Sequence, residues 1–122
     1  MSTTSETLNA AADHIERRGW IRGGQGADPW GFETPGGPVC LEGGIAAALG
    51  MRAGSIDDPF VYDELLACPA YVAVQQFLGT SEKLYIWNDN YKRTAAEVVE
   101  VLRAAAIIAA AAQQPVVELV TA

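Results

Sequence analysis

The sequence is short of the side chains on which most metal and covalent chemistry depends. Of 122 residues, one is histidine and two are cysteine. One His and two separated Cys do not supply the four ligands of a structural zinc site. Cys40 and Cys68 form no C-x-x-C pair and no apolar leader opens the chain, so both thiols are expected to be free in a reducing cytoplasm. Basic residues are also scarce. Eight Lys and Arg against fifteen Asp and Glu leave a net charge of −7, which speaks against direct nucleic-acid binding because phosphate contacts need a basic stripe. The uncharged stretch from Ala104 to Val117 falls short of the roughly 18 apolar residues that suggest a membrane span, and Gln113-Gln114-Pro115 interrupts it. No membrane association is expected. Gly24-Gln25-Gly26 lacks the third glycine of a dinucleotide fingerprint, and no Gly-Lys-Ser/Thr is present. No cofactor is expected.

What is there is the composition of a folded domain. Half of the residues are hydrophobic, and the length suits a single globular domain over residues 1–122. The pattern predicts a mainly α protein, a compact bundle of four to five helices with a short β-hairpin or small sheet. Thr4 or Ser5 is the expected cap of a first helix carrying Leu8, Ala11, Ala12 and Ile15 on one face, with Gly19 after its end. Leu41, Ile45, Ala48 and Leu49 mark a second helix that ends at Gly50. Gly43 and Gly44 inside it cost roughly 1 kcal/mol each against Ala, which implies close approach of another backbone. Asp58-Pro59 starts a helix over Phe60 to Leu66. Pro69 restarts it through Tyr71, Val74 and Leu78 to Gly79. The expected strands are Trp20–Arg22, Val39–Leu41 and Lys83–Trp87. Thr94-x-x-Glu97 is a capping box opening a last helix whose inner face is Val98, Val101, Leu102, Ala105, Ile108 and Ala109.

Two segments break the helical pattern. Residues 23–38 hold six Gly and three Pro, a composition that forms a loop; a loop this long tends to be functional. Residues 115–122 form a Val-rich tail. Between them the last helix carries no polar group from Ala104 to Ala112, and a helix apolar all round must be covered all round.

The segment Ile86-Trp87-Asn88-Asp89, followed by Arg93-Thr94-x-x-Glu97, is the most distinctive local pattern. Its Asn and Asp are the residue types of a turn, with Asp89 able to pair with Arg93. The order Arg17-Arg18-Gly19-Trp20, then Val39-Cys40-Leu41-Glu42-Gly43-Gly44-Ile45, then this segment with Val98-Val99 resembles an uncharacterised family of small proteins. That family is frequent in actinobacteria and their phages, and the resemblance spans about Leu8 to Ala109. It implies a compact cytosolic domain, phage-encoded, and carries no activity, cofactor or catalytic residue onto these positions.

The resulting functional expectation is a small acidic interaction or accessory protein of the cytoplasm, acting on a host protein without catalysis. Trp30 and Phe32 in the loop, with the acidic cluster Asp57, Asp58, Asp63 and Glu64, are the candidate partner-binding residues. Ile107 and Ala111 on the last helix, with Val116 and Val117 in the tail, are the candidates for self-association into a homo-oligomer. Two alternatives come from other classes. One is a thiol-dependent enzyme with Cys40 as nucleophile, His14 as base and Asp89 orienting it. The other is an acidic mimic that blocks a nucleic-acid-binding protein.

Overall fold

Buried side chains recurring at helical spacing organise the chain. A computed structural model describes residues 2–22, 37–51 and 59–112. These contain six helices: α1 (Thr4–Arg18), α2 (Leu41–Ala48), α3 (Pro59–Ala67), α4 (Pro69–Leu78), α5 (Leu84–Asn88) and α6 (Ala95–Ala112). Trp30, Phe32, Asp57, Asp58, Val116 and Val117 lie outside the described residues, as do the tail and all of the Gly/Pro-rich loop except Gly37 and Pro38.

Helix α1 buries Leu8, Ala11, Ala12 and Ile15 as expected. Its cap is Thr3, one residue earlier than the expected Thr4 or Ser5. The Glu6 amide donates to Thr3 Oγ1 at 3.1 Å, and the Thr3 amide donates to Glu6 Oε1 at 2.9 Å. Two of the orphan donors of the first turn are thereby satisfied. Helix α6 is the other long element, and α1 packs chiefly against α6 and α2. The two long helices run in opposite directions, since Thr4 lies near Ala105–Ala112 while Ile15 and Trp20 lie near Ala95–Val99. Arg103 of α6 ties the pair together. Its guanidinium donates to the Asn9 carbonyl and to Asn9 Oδ1, both at 3.1 Å, and it pairs with Asp13 and Glu16.

Helix α2 crosses α1 at the glycine pair. A Cβ on Gly44 would stand 3.2 Å from the Ala11 carbonyl oxygen and 3.2 Å from Ile15 Cδ1. The close approach expected from sequence is therefore made by α1. Helices α3 and α4 are separated by Cys68, with Pro69 opening α4. Gly79 ends α4 with φ +70°, a left-handed conformation that costs glycine no Cβ clash.

The expected β-hairpin or small sheet is absent from the described residues. Trp20 and Val39 form one isolated bridge, and it is parallel. The Val39 amide donates to the Gly19 carbonyl at 3.0 Å and the Ile21 amide to the Val39 carbonyl at 3.2 Å. Parallel segments cannot be the arms of a hairpin. Lys83–Trp87 is not a strand either, because Leu84–Asn88 is helix α5. Leu84 and Asn88, four residues apart, are both fully buried, whereas Tyr85 and Ile86 are exposed. That spacing is one helical face, and tertiary anchoring overrides the strand preference of Tyr, Ile and Trp.

The Gly44 contact sets a test. Gly44→Val should lower stability by about 2 kcal/mol, the range for overpacking against a backbone that cannot yield. Gly44→Ala should change it by less than about 1 kcal/mol, since its gain in helix propensity opposes the tight contact. Urea unfolding midpoints check both, and a Val variant as stable as the parent would refute the contact.

Candidate functional site

The polar side chains of the interior converge on the N-terminus of α2. Cys40 is its N-cap, and Cys40 Sγ accepts from the Gly43 amide at 3.2 Å. The Leu41 amide, another orphan donor of that first turn, donates to Asn88 Oδ1 at 3.0 Å. Asn88 is fully buried and belongs to α5, 47 residues further along the chain. The same oxygen accepts from Trp20 Nε1 at 2.6 Å. Its Nδ2 donates to the Ile21 carbonyl at 3.3 Å and to Asp89 Oδ1 at 3.0 Å. One carboxamide thus joins α5, α2 and the bridge segment after α1. The expectation that Asn88 is a local turn former is corrected: three of its four partners are distant in sequence, and Asn90 fills the turn role by accepting from the Lys92 amide at 2.9 Å.

A second cluster lies one residue further into α2. Glu42 is 2 % exposed, and its Oε2 accepts from Tyr71 Oη at 2.6 Å and from Tyr62 Oη at 2.9 Å. Tyr71 Oη in turn accepts from the Leu84 amide at 2.7 Å. The carboxylate therefore connects α2 with α3, α4 and the first turn of α5. A carboxylate in a first turn also faces the positive end of the helix dipole. Burial first, and then the adjacent Glu42 carboxylate, push both tyrosine hydroxyls well above their ordinary value. They remain neutral donors over the whole physiological range. Lys83 places its Nζ over the Tyr62 ring, 5.5 Å from the centroid.

The segment from Trp87 to Glu97 closes the same end of the molecule. Arg93 stacks on Trp87 with its Cζ 3.7 Å from the ring centroid, and its Nε donates to the Trp87 carbonyl at 3.1 Å. Its ion pair is with Glu97 at 3.1 Å rather than with Asp89. Thr94 Oγ1 accepts from the Glu97 amide at 3.2 Å, so the expected cap of α6 forms. Arg22 donates to the carbonyls of Asn90, Tyr91 and Arg93 while lying over Trp20. Among the described residues no buried side-chain nitrogen or oxygen lacks a hydrogen-bond partner.

The candidate thiol triple is not brought together. Cys40 is buried, and burial pushes its thiol up to about 12 against the partial opposing effect of the Gly43 amide. Its charged neighbours are Glu42 and Asp89, both of which disfavour a thiolate. His14 lies elsewhere, in a shallow recess of Ala10, Asp13, Glu16, Arg17 and Arg103. Its Nδ1 accepts from Arg17 at 3.2 Å, and burial together with Arg17 and Arg18 holds its pKa below the usual value. Asp89 is half-buried and bonded to Asn88. Asp63 and Glu64 are exposed on α3, and Ile107 and Ala111 are exposed on α6. Ile108, expected on the inner face, is 57 % exposed; Ala106 takes the inward place.

Sequence reasoning missed Glu42, Tyr62, Tyr71 and Arg22. Only Glu42 gave a signal, a lone carboxylate in the otherwise apolar run Leu41–Ala48. The two tyrosines and Arg22 acquire their roles from partners far away in sequence.

These features define a small helical bundle whose polar interior is a hydrogen-bonded clasp around one helix N-terminus. The chain belongs to a family of unknown function, DUF6197, whose model matches residues 1–107. Comparison with curated proteins and with solved structures found no match.

Two outcomes test the clasp. Asn88→Leu leaves the buried Leu41 amide and the part-buried Trp20 indole without their acceptor, costing about 1–3 kcal/mol for the amide and less for the indole. Its unfolding midpoint should drop by the sum of two such losses; a drop no larger than that of an ordinary surface substitution would refute the hub. For Cys40, iodoacetamide at pH 8 should modify it only as fast as the chain unfolds, while Cys68 reacts in the folded protein. Because the folded thiol is raised from 9.0 to about 12, its contribution to stability is complete below pH 9 and is lost as pH rises toward 12. Rapid modification of Cys40 in the folded protein would overturn this reading.

Proposed function

We propose that this is a small, acidic, non-catalytic interaction protein, cytoplasmic and phage-encoded, that acts on a host protein and assembles with itself through the outer face of α6. The observation that carries the reading is the pair of adjacent isoleucines, Ile107 at 71 % and Ile108 at 57 % exposure. They sit on a helix end with no polar residue from Ala104 to Ala112. Exposed apolar surface of this kind marks an interaction site. Ala111, one turn beyond Ile107, continues the surface without obstructing approach.

The polar interior supports the same reading. Glu42, Tyr62, Tyr71, Asn88 and Arg93 each bond to partners that hold helices in place. The Cys40 thiol is engaged as a cap, which disfavours the thiol-enzyme alternative. The exposed Asp63 and Glu64 provide an acidic surface on α3 for a basic partner. The resemblance of the Trp-Asn-Asp…Arg-Thr segment to proteins frequent in actinobacteria and their phages supports the origin.

Sedimentation or light scattering tests the assembly. The wild-type chain should exceed its monomer mass of 12.9 kDa. Ile107→Asp should return it to the monomer with a thermal midpoint changed by only a few degrees, because 71 % of the residue it replaces is exposed. A strict wild-type monomer at high concentration would sink the proposal of self-association.

A further inference from the structure

A groove of about 350 Å³ runs beside the exposed isoleucines, between the start of α1, α4 and the end of α6. Thr4, Ala73, Phe77, Ala105, Ile108 and Ala112 line it, and Phe77 is 40 % and Ile108 57 % exposed. We propose that this groove receives residues 116–120 of a second copy of this chain, in a reciprocal exchange. The inference rests on the self-association reading and names the seat of the exchanged segment.

Three observations lead there. First, the described chain ends at the groove itself, because Ala112 is both the last residue of α6 and part of the lining. Ten further residues follow, and five of them, Val116-Val117-Glu118-Leu119-Val120, carry four large apolar side chains. Second, the lengths agree. From Ala105 to Ala112 the groove follows α6 for about 10 Å at the helical rise, and Val117 and Leu119, two residues apart, span about 7 Å of an extended segment and fit within it. Val117 and Leu119 fall on one side of an extended segment and can enter the groove together, with Glu118 pointing away. Third, the connection is only Gln113-Gln114-Pro115. Proline biases the residue before it away from helix and toward extended backbone. A short connection of this kind favours exchange between copies.

The area argument agrees. Two half-exposed isoleucines and one phenylalanine present a few hundred Å², about half of the roughly 800 Å² per partner in a standard interface. Two exchanged apolar segments supply the remainder, and the occupant is then the same chain that already meets the α6 face.

Cysteine cross-linking in a Cys68→Ser background tests the seat. Gln76→Cys, on the exposed rim of the groove, is combined with Leu119→Cys, and in a second variant with Val117→Cys. Mild oxidation should give a covalent dimer from each double variant. Mixing the two single variants should give a dimer containing one of each. Leu119→Asp in the full chain should weaken association by about tenfold, as burial of one leucine implies. A covalently closed monomer, or no disulfide in a chain that still sediments as an oligomer, overturns the exchange while leaving self-association intact. A wild-type chain that sediments as a monomer overturns both.

Discussion

The side-chain amide of Asn88 is the constraint from which the arrangement of the shorter elements follows. Its two atoms take four hydrogen bonds, to the Trp20 indole, the Leu41 amide, the Ile21 carbonyl and Asp89. Each such bond contributes only about 1 kcal/mol net, since water would bond the same groups in the unfolded chain. Their importance lies in the asymmetry of loss, because a buried donor left without an acceptor bears its full desolvation cost. The amide also needs α5 to be helical, since only that geometry buries Asn88 on the same face as Leu84. Once Leu41 is held to Asn88, the axis of α2 is aimed so that Gly44 meets α1 and Glu42 faces Tyr62 and Tyr71.

The interior therefore has two registers of interaction. Between α1 and α6 the contact is mainly apolar, with Leu8, Ala11, Val98, Leu102 and Ala105 in the core and the Arg103 cluster along the rim. Around α2 it is polar and specific, with one carboxylate receiving two phenolic hydroxyls and one carboxamide receiving an indole and an amide. Apolar packing stabilises many mutual orientations nearly equally, whereas satisfied buried polar groups admit one. The short helices α2, α3 and α5 each bury one or two large apolar side chains, Leu41 and Ile45, Leu65, and Leu84, and it is there that the polar network is concentrated. This division explains how eight-residue and five-residue helices are held in a chain without a sheet among its described residues.

Local signals in the sequence were legible and distant ones were not. The Thr94–Glu97 cap, Pro69 at the start of α4, Gly79 at its end and the Val98, Leu102 and Ala105 face of α6 all depend on neighbours within a few residues, so they can be read along the chain; Ile108, expected on that face, is exposed and Ala106 is buried instead. In the Trp-Asn-Asp…Arg-Thr segment the local Arg93 stack on Trp87 and the Thr94 cap are of the same kind. Lys83–Trp87 was misread because Tyr, Ile and Trp favour strands, and the counter-signal was a buried asparagine. An asparagine is ordinarily read as a turn residue, and its partners Trp20 and Leu41 lie 68 and 47 residues away. The hairpin failed for a related reason: two segments on either side of a loop read as antiparallel by default, and orientation is not written in either segment. Of the candidate site, the cysteine was visible as a helix-start residue, but its burial beside Glu42 and Asp89 was not.

At the end of α6, burial in the core accounts for Ala105 and Ala106 but not for the exposed Ile107 and Ile108. From Ala104 to Ala112 the helix is rich in alanine, the best helix former, and Ala105 and Ala106 anchor it in the core. Ile107 and Ile108 are poorer helix formers than alanine, lysine or glutamate at the same positions. Their side chains bury little within the described chain, so the usual compensation for a β-branched residue in a helix is missing. Gln76 and Thr4 at the edge of the neighbouring groove show that polar residues are accommodated on this side of the molecule. Two adjacent isoleucines there lower the stability and solubility of an isolated helix end, and both costs are removed when the surface is covered. A binding surface is the arrangement under which this composition becomes favourable.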